Sequence, residues 1–278
     1  MTEKNILTQN KNIRYTVSGE GTPVVLLHGF AEDGDVWRYQ EAALSKHCKL
    51  IIPDLPGSGN SDMIDDMSME GLAASVKEII TNEMTQAPAS DIAKNVIMIG
   101  HSMGGYITLA FADKYPDLLL GFGLFHSTAF PDTEEKKATR RRGIAFIQTH
   151  GSHEFIKQSS PNLFTKSYVN TNNTELAEMI ARYSSFDPLA LVAYYEAMIQ
   201  RPDRTAVLQS FNKPVLFIIG KNDPAIPFED SMKQCHLPQM ASIHILEKAA
   251  HMGMWEEKEK SSQALLSFLQ QVQQFNLH

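Results

Sequence analysis

The sequence predicts an α/β protein: a mostly parallel, doubly wound sheet carrying one helical insertion. Three observations point there. Short apolar runs recur along the chain, stretches of helical periodicity separate them, and the alternation stops between Ser127 and Ala206. The runs are Val24–Leu27, Leu50–Ile52, Val96–Ile99, Leu118–Phe125, Val215–Ile219 and Ile243–Leu246. They are too short for buried helices and are bounded by Gly and Pro, so they read as buried parallel strands. Ile13–Val17 alternates instead and precedes Gly19-Glu20-Gly21, which fits an antiparallel edge hairpin.

The helical patterns come next. Met69 to Met84 places Leu72, Val76, Ile79 and Ile80 on one face, and the C-terminal stretch does the same with Leu265, Phe268, Leu269, Val272 and Phe275. Met103 to Tyr115 follows the third run directly. Strands alternating with helices place ligands at the carboxyl ends of the strands. The insertion holds helical stretches such as Glu175–Ser184 and Leu189–Ile199, punctuated by Pro131, Pro161, Pro188 and Pro202. The expected organisation is a core of residues 1–126 and 206–278 with a helical cap over 127–205.

Composition narrows the function. The 278 residues are 43% hydrophobic with a formal net charge of −7, so no global basic field exists to hold a nucleic acid. The one basic cluster, Lys136 to Arg142, follows Asp132-Thr133-Glu134-Glu135. Acids first and bases last is the order a solvated helix prefers, given its dipole. A patch for an anionic substrate or partner is the alternative reading. Cys48 and Cys235 lie far apart without metal-type neighbours and read as idle thiols. The N-terminus lacks the apolar stretch of a signal peptide, and no run approaches the ~18 apolar residues of a membrane span. A cytoplasmic protein without a membrane or nucleic-acid partner is the default expectation.

The strongest chemical signal is Gly100-His101-Ser102-Met103-Gly104-Gly105. It matches G-x-S-x-G, follows a strand and opens a helix, which is the context this motif requires. A sharp strand-to-helix turn strains the backbone at Ser102, and small residues on both sides let the chain pass close to itself. The turn lifts the hydroxyl above the sheet at a helix N-terminus, where an oxyanion is stabilised. A serine hydroxyl is a weak nucleophile and needs a base that is itself oriented by an acid. His251, in a loop after the last strand, is the candidate base, and Asp223, on a proline-stiffened turn after the preceding strand, is the candidate acid. Their chain order, Ser, acid, His, is that of the motif class. Met103 N–H and Phe30 N–H are the candidate oxyanion donors, with Gly29 allowing close backbone approach. His28 reads as a loop tether, and His101 should point away from the nucleophile. His126, at the mouth of the insertion, is a candidate pocket residue; Phe130, Phe146, Ile226 and Met252 complete that set.

With these elements assembled, the chain resembles the α/β-hydrolase superfamily over nearly its whole length. The resemblance rests on His28-Gly29-Phe30 with Trp37 downstream, Asp54-Leu55-Pro56-Gly57-Ser58-Gly59-Asn60-Ser61-Asp62, the turn at Ser102, Asp223 before Pro227, and His251. The branch it looks most like contains esterases, lactonases and C–C hydrolases with a helical lid. That resemblance implies Ser102, Asp223 and His251 as a triad and the insertion as a cap over the pocket. It sets aside epoxide hydrolases and haloalkane dehalogenases, which place an Asp where this chain has Ser102. Ser58 departs from the His or Phe often found in its loop, a structural position. The expected function is hydrolysis of a small ester or lactone, needing a small-molecule substrate and no cofactor or metal. C–C bond hydrolysis by the same triad, and a ligand sensor that retains the triad, are the alternatives.

Overall fold

The computed structural model describes residues 1–85 and 95–276. Eight strands form one sheet: β1 Thr2–Thr8, β2 Lys11–Ser18, β3 Pro23–Leu27, β4 Lys49–Pro53, β5 Val96–His101, β6 Leu119–Phe125, β7 Val215–Gly220 and β8 Ala241–Leu246. Their order is β1-β2-β4-β3-β5-β6-β7-β8. The pairs β1–β2 and β2–β4 are antiparallel, and all others are parallel. Every residue of β3, β5 and β7 is buried, as continuous apolar runs covered on both faces should be.

Two expectations need correction. Thr2–Thr8 forms an additional edge strand that its polar sequence hides. It exists because the tight turn at Gln9 and Asn10, both at positive φ, folds it back onto β2. At the other edge, Ile243 and Ile245 are not buried. β8 alternates, and only one of its long edges has a partner.

The helices are α1 Arg38–Leu44, α2 Met69–Thr85, α3 Met103–Lys114, α4 Glu134–Ser159, α5 Lys166–Thr171, α6 Asn173–Tyr183, α7 Pro188–Gln200, α8 Thr205–Ser210, α9 Phe228–Gln234, α10 Gly253–Glu256 and α11 Lys258–Phe275. One group packs α3 against α2, α8 and the central strands, and another packs α1 and α10 against α11. Between β6 and β7 there are only helices, α4 to α8, in keeping with the absence of strand-like runs there. Thr133 caps α4 by accepting from the Lys136 N–H, and Asp187 caps α7 by accepting from the Leu189 N–H. Gly151 (φ 80°) breaks α4 near its middle. Among the described residues no helix is long and apolar enough to cross a membrane. Both cysteines are buried and unpaired.

The topology sets up the site. β3, β5, β6 and β7 run parallel, so the loops leaving their carboxyl ends gather along one edge. Those loops begin at His28, Ser102, His126 and Lys221, and the loop after β8 joins them.

Candidate active site

Ser102 sits between β5 and α3 with φ 50° and ψ −113°, a conformation that costs a non-glycine residue about 1–3 kcal/mol. Its surroundings hold it there. Ser102 N–H donates to Phe125 O (2.9 Å), and the Ser127 hydroxyl donates to Ser102 O (2.7 Å). The flanking glycines are sterically required. A Cβ on Gly100 would lie 2.2 Å from the Gly104 carbonyl, and one on Gly104 would lie 2.6 Å from the carbonyl oxygens of Leu27 and His28.

The turn presents Ser102 Oγ 2.9 Å from His251 Nε2, and His251 Nδ1 lies 2.8 Å from Asp223 Oδ2. The His251 loop is fixed on three sides. Its N–H donates to Leu163 O (2.9 Å), its carbonyl faces His101 Nε2 (3.0 Å), and the preceding Ala250 N–H donates to Glu256 Oε2 (2.7 Å). Leu163 lies in the helical stretch between β6 and β7, so that stretch touches the backbone of this histidine. Asp223 Oδ1 accepts from the N–H groups of Ala225 (2.8 Å) and Ile226 (2.9 Å), while Oδ2 faces His251 and, at 3.3 Å, His126 Nδ1. Burial works against the Asp223 charge, but His251 and His126 outweigh it and hold the carboxyl well below the ordinary carboxylate range.

His101 does point away from Ser102. Its Nδ1 lies 3.0 Å from Glu32 Oε2, and Glu32 also accepts from the Gly29 N–H (2.6 Å). Burial disfavours charge on both partners. The Glu32 carboxylate nevertheless raises the His101 pKa, and His101 helps to lower that of Glu32. His28 Nε2 accepts from the Leu55 N–H (2.9 Å), tethering the loop after β4. Among the described residues, neither Phe30 N–H nor Met103 N–H has a protein acceptor. The Phe30 ring stacks on Tyr195 of α7 with centroids 4.2 Å apart and meets Phe155 of α4 edge-on at 6.0 Å.

A cavity of about 950 Å³ opens over Ser102 and His251. Phe130 and Ile226 line it, as does Phe30. The other three pocket candidates lie outside that lining. His126 is buried behind Asp223, with the N–H groups of Gly220 and Gly253 aimed at its two ring nitrogens (2.9 and 3.2 Å). Met252 is buried at the start of α10. Phe146 packs against His150 and Phe155. Each of these positions follows from tertiary packing that chain position alone does not convey.

The cavity also holds residues that the sequence reading did not single out. Arg140 and Arg201 both pair with Asp132, whose side chain is fully buried, and Tyr106 and Tyr195 stand beside them. In the sequence, Arg140 lies in the run read as a solvated helix face. Its side chain is only 15% exposed and is paired with Asp132, so the solvated-face expectation is corrected for this residue.

Comparison with known proteins agrees with this architecture. The family model described as alpha/beta hydrolase fold matches residues 22–258. The chain is 26% identical over 274 residues to a pimeloyl-[acyl-carrier protein] methyl ester esterase of Vibrio cholerae, covering 91% of this chain and 96% of that one. It is 25% identical over 271 residues to a 2-hydroxy-6-oxononadienedioate/2-hydroxy-6-oxononatrienedioate hydrolase of Pseudomonas putida, covering 93% and 92%. Among solved structures it is similar to a thermophilic esterase from Thermogutta terrifontis, with TM-score 0.89 and 27% identity over 98% of this chain and 99% of that one. The enol-lactonase of Burkholderia xenovorans shares the fold at TM-score 0.86 and 22% identity, covering 96% of this chain and all of that one.

Proposed function

The chain belongs to the α/β-hydrolase family and is a hydrolase, and from that premise we propose that it cleaves a small carboxylic ester or lactone through an acyl-enzyme on Ser102. One observation carries the proposal: the continuous relay from Ser102 Oγ through His251 to Asp223, at 2.9 and 2.8 Å, opening on a cavity. His251 Nε2 takes the Ser102 proton as Oγ attacks the substrate carbonyl. Asp223 keeps the Nδ1–H tautomer in place and stabilises the imidazolium that forms. The N–H groups of Phe30 and Met103 receive the developing oxyanion, the second of them at the start of α3. His251 then protonates the leaving alcohol and activates the water that clears the acyl group. These steps use no cofactor.

Residues 127–205 act in this proposal as the cap. Phe130, Leu163 and Tyr195 wall the substrate space, and excluding water there strengthens the oxyanion contacts. The relative named as a 2-hydroxy-6-oxononadienedioate/2-hydroxy-6-oxononatrienedioate hydrolase aligns as fully as the one named as a methyl ester esterase, so C–C bond hydrolysis by the same triad is the second reading. Turnover of p-nitrophenyl butyrate against that of a ring-cleavage dienone separates the two activities.

A fluorophosphonate probe tests the nucleophile. It should label the native protein at Ser102, mapped by peptide mass spectrometry, and labelling should vanish in Ser102→Ala. Labelling of equal extent in that variant would place the nucleophile elsewhere.

A further inference from the structure

The far end of the cavity has chemistry that acyl transfer does not use. Asp132 Oδ2 accepts from Arg140 Nε (2.5 Å), and Asp132 Oδ1 lies 3.3 Å from Arg140 Nη2 and 2.9 Å from Arg201 Nη1. Two guanidinium groups against one carboxylate leave one positive charge in surplus. Arg201 is largely committed. It also donates to Met198 O (2.9 Å) and Phe130 O (3.0 Å) and lies 3.9 Å over the ring of Tyr106. Arg140 is not. Among the described residues its Nη1 has no acceptor, and neither the Tyr106 nor the Tyr195 hydroxyl has a hydrogen-bond partner. None of the three atoms is sealed from solvent, and all three residues line the cavity. Both phenols interact electrostatically with Arg140. Burial pushes the Tyr195 phenol up to about 12, so it remains a neutral donor.

The other charged groups around the cavity largely offset one another. Lys233 pairs with Asp230 (2.7 Å), and Lys136 and Glu135 contribute one charge of each sign. The remaining carboxylates, Glu32 and Asp223, are engaged by His101 and by His251 and His126 rather than by the arginines. Within the Asp132 cluster the local surplus therefore resides at Arg140.

We propose that Arg140 Nη1, with the hydroxyls of Tyr106 and Tyr195, forms an anion subsite that binds a second carboxylate carried by the substrate. The substrate class is then half-esters of dicarboxylic acids, or lactones bearing a free carboxylate. A carboxylate matches one surplus charge with two acceptor oxygens, whereas a phosphate dianion would leave a buried charge uncompensated. Tyr106 lies in the first turn of α3, directly after Ser102, and both residues line the same cavity, so a short acyl chain can bridge subsite and nucleophile. This assignment rests on the acyl-transfer reading of Ser102 for its substrate class, but not for the anion binding itself.

The test compares kcat/KM for mono-p-nitrophenyl glutarate and p-nitrophenyl butyrate, which differ chiefly in the terminal carboxylate. The wild-type chain should prefer the glutarate. Arg140→Gln should lower that preference ratio by roughly 30-fold or more, as loss of a desolvated charged partner does. Tyr195→Phe, which leaves the Arg140–Asp132 pair intact, should lower it several-fold. Arg141→Gln, an exposed change of equal charge outside the cavity, should leave the ratio unchanged. Calorimetry adds a readout that needs no turnover: glutarate should bind Ser102→Ala saturably, and the binding should disappear when Arg140→Gln is added. If neither ester is hydrolysed, acyl transfer fails while glutarate binding still decides the subsite. No preference in the wild type, equal effects of Arg140→Gln and Arg141→Gln, or glutarate binding indifferent to Arg140 would each overturn the proposal.

Discussion

Asp223→Asn should lower kcat for p-nitrophenyl butyrate by a factor on the order of 10⁴ with the fold retained. The asparagine side-chain oxygen can still accept from the Ala225 and Ile226 N–H groups, so the turn after β7 keeps its shape. The amide nitrogen then faces His251 Nδ1, where Oδ2 now stands. A donor there stabilises the opposite imidazole tautomer, with the proton on Nε2 pointing at Ser102, and the base is lost. The variant also removes the buried negative charge that would stabilise the imidazolium. Steady-state kinetics alongside far-ultraviolet circular dichroism checks this. A loss under about tenfold in a folded variant would assign the acid role to another carboxylate.

How much of this was legible in the sequence depended on how local the signal was. The turn at Ser102 is specified by neighbours in the chain: a strand, small residues two before and two after the serine, and a helix that follows at once. Asp223 and His251 were legible because strand ends are recognisable and a parallel sheet gathers them. Arg140 was not. Read along the chain, Lys136 to Arg142 shows only charges suited to a helix dipole. What buries Arg140 is Asp132 eight residues earlier, together with Arg201 and Tyr195 from the far end of the insertion. The same limit applies to His126, whose partners Gly220 and Gly253 are 94 and 127 residues away. The strand β1 escaped for a different reason. Its side chains make no apolar run, and backbone pairing to β2 defines it.

His126 should make the folded protein lose stability as the pH falls from about 6.5 to about 4. Burial lowers its pKa to about 4, and this prevails over the nearby Asp223 carboxylate, with His251 and His101 adding repulsion. The geometry gives a second reason. Two backbone N–H groups aim at the two ring nitrogens; the neutral ring accepts from one of them and the doubly protonated ring from neither, which opposes the pull of Asp223 Oδ2, 3.3 Å from Nδ1. Between pH 4 and 6.5 the unfolded chain binds a proton here that the folded chain does not, so stability rises with pH across that window. The difference of about 2.5 pH units corresponds to about 3 kcal/mol at full effect, and below pH 4 this residue adds no further loss. His101 acts with the opposite sign. Its raised pKa contributes stability that is present at low pH and lost as the pH rises through its folded value, while Glu32, held low, contributes stability that is lost in acid. A difference measurement removes those shared terms. Urea unfolding of wild type and His126→Asn from pH 4 to 7 should show a steeper acid loss in the wild type, with the two curves converging toward pH 4. Parallel curves across the window would mean that His126 takes up its proton as readily in the fold as in water.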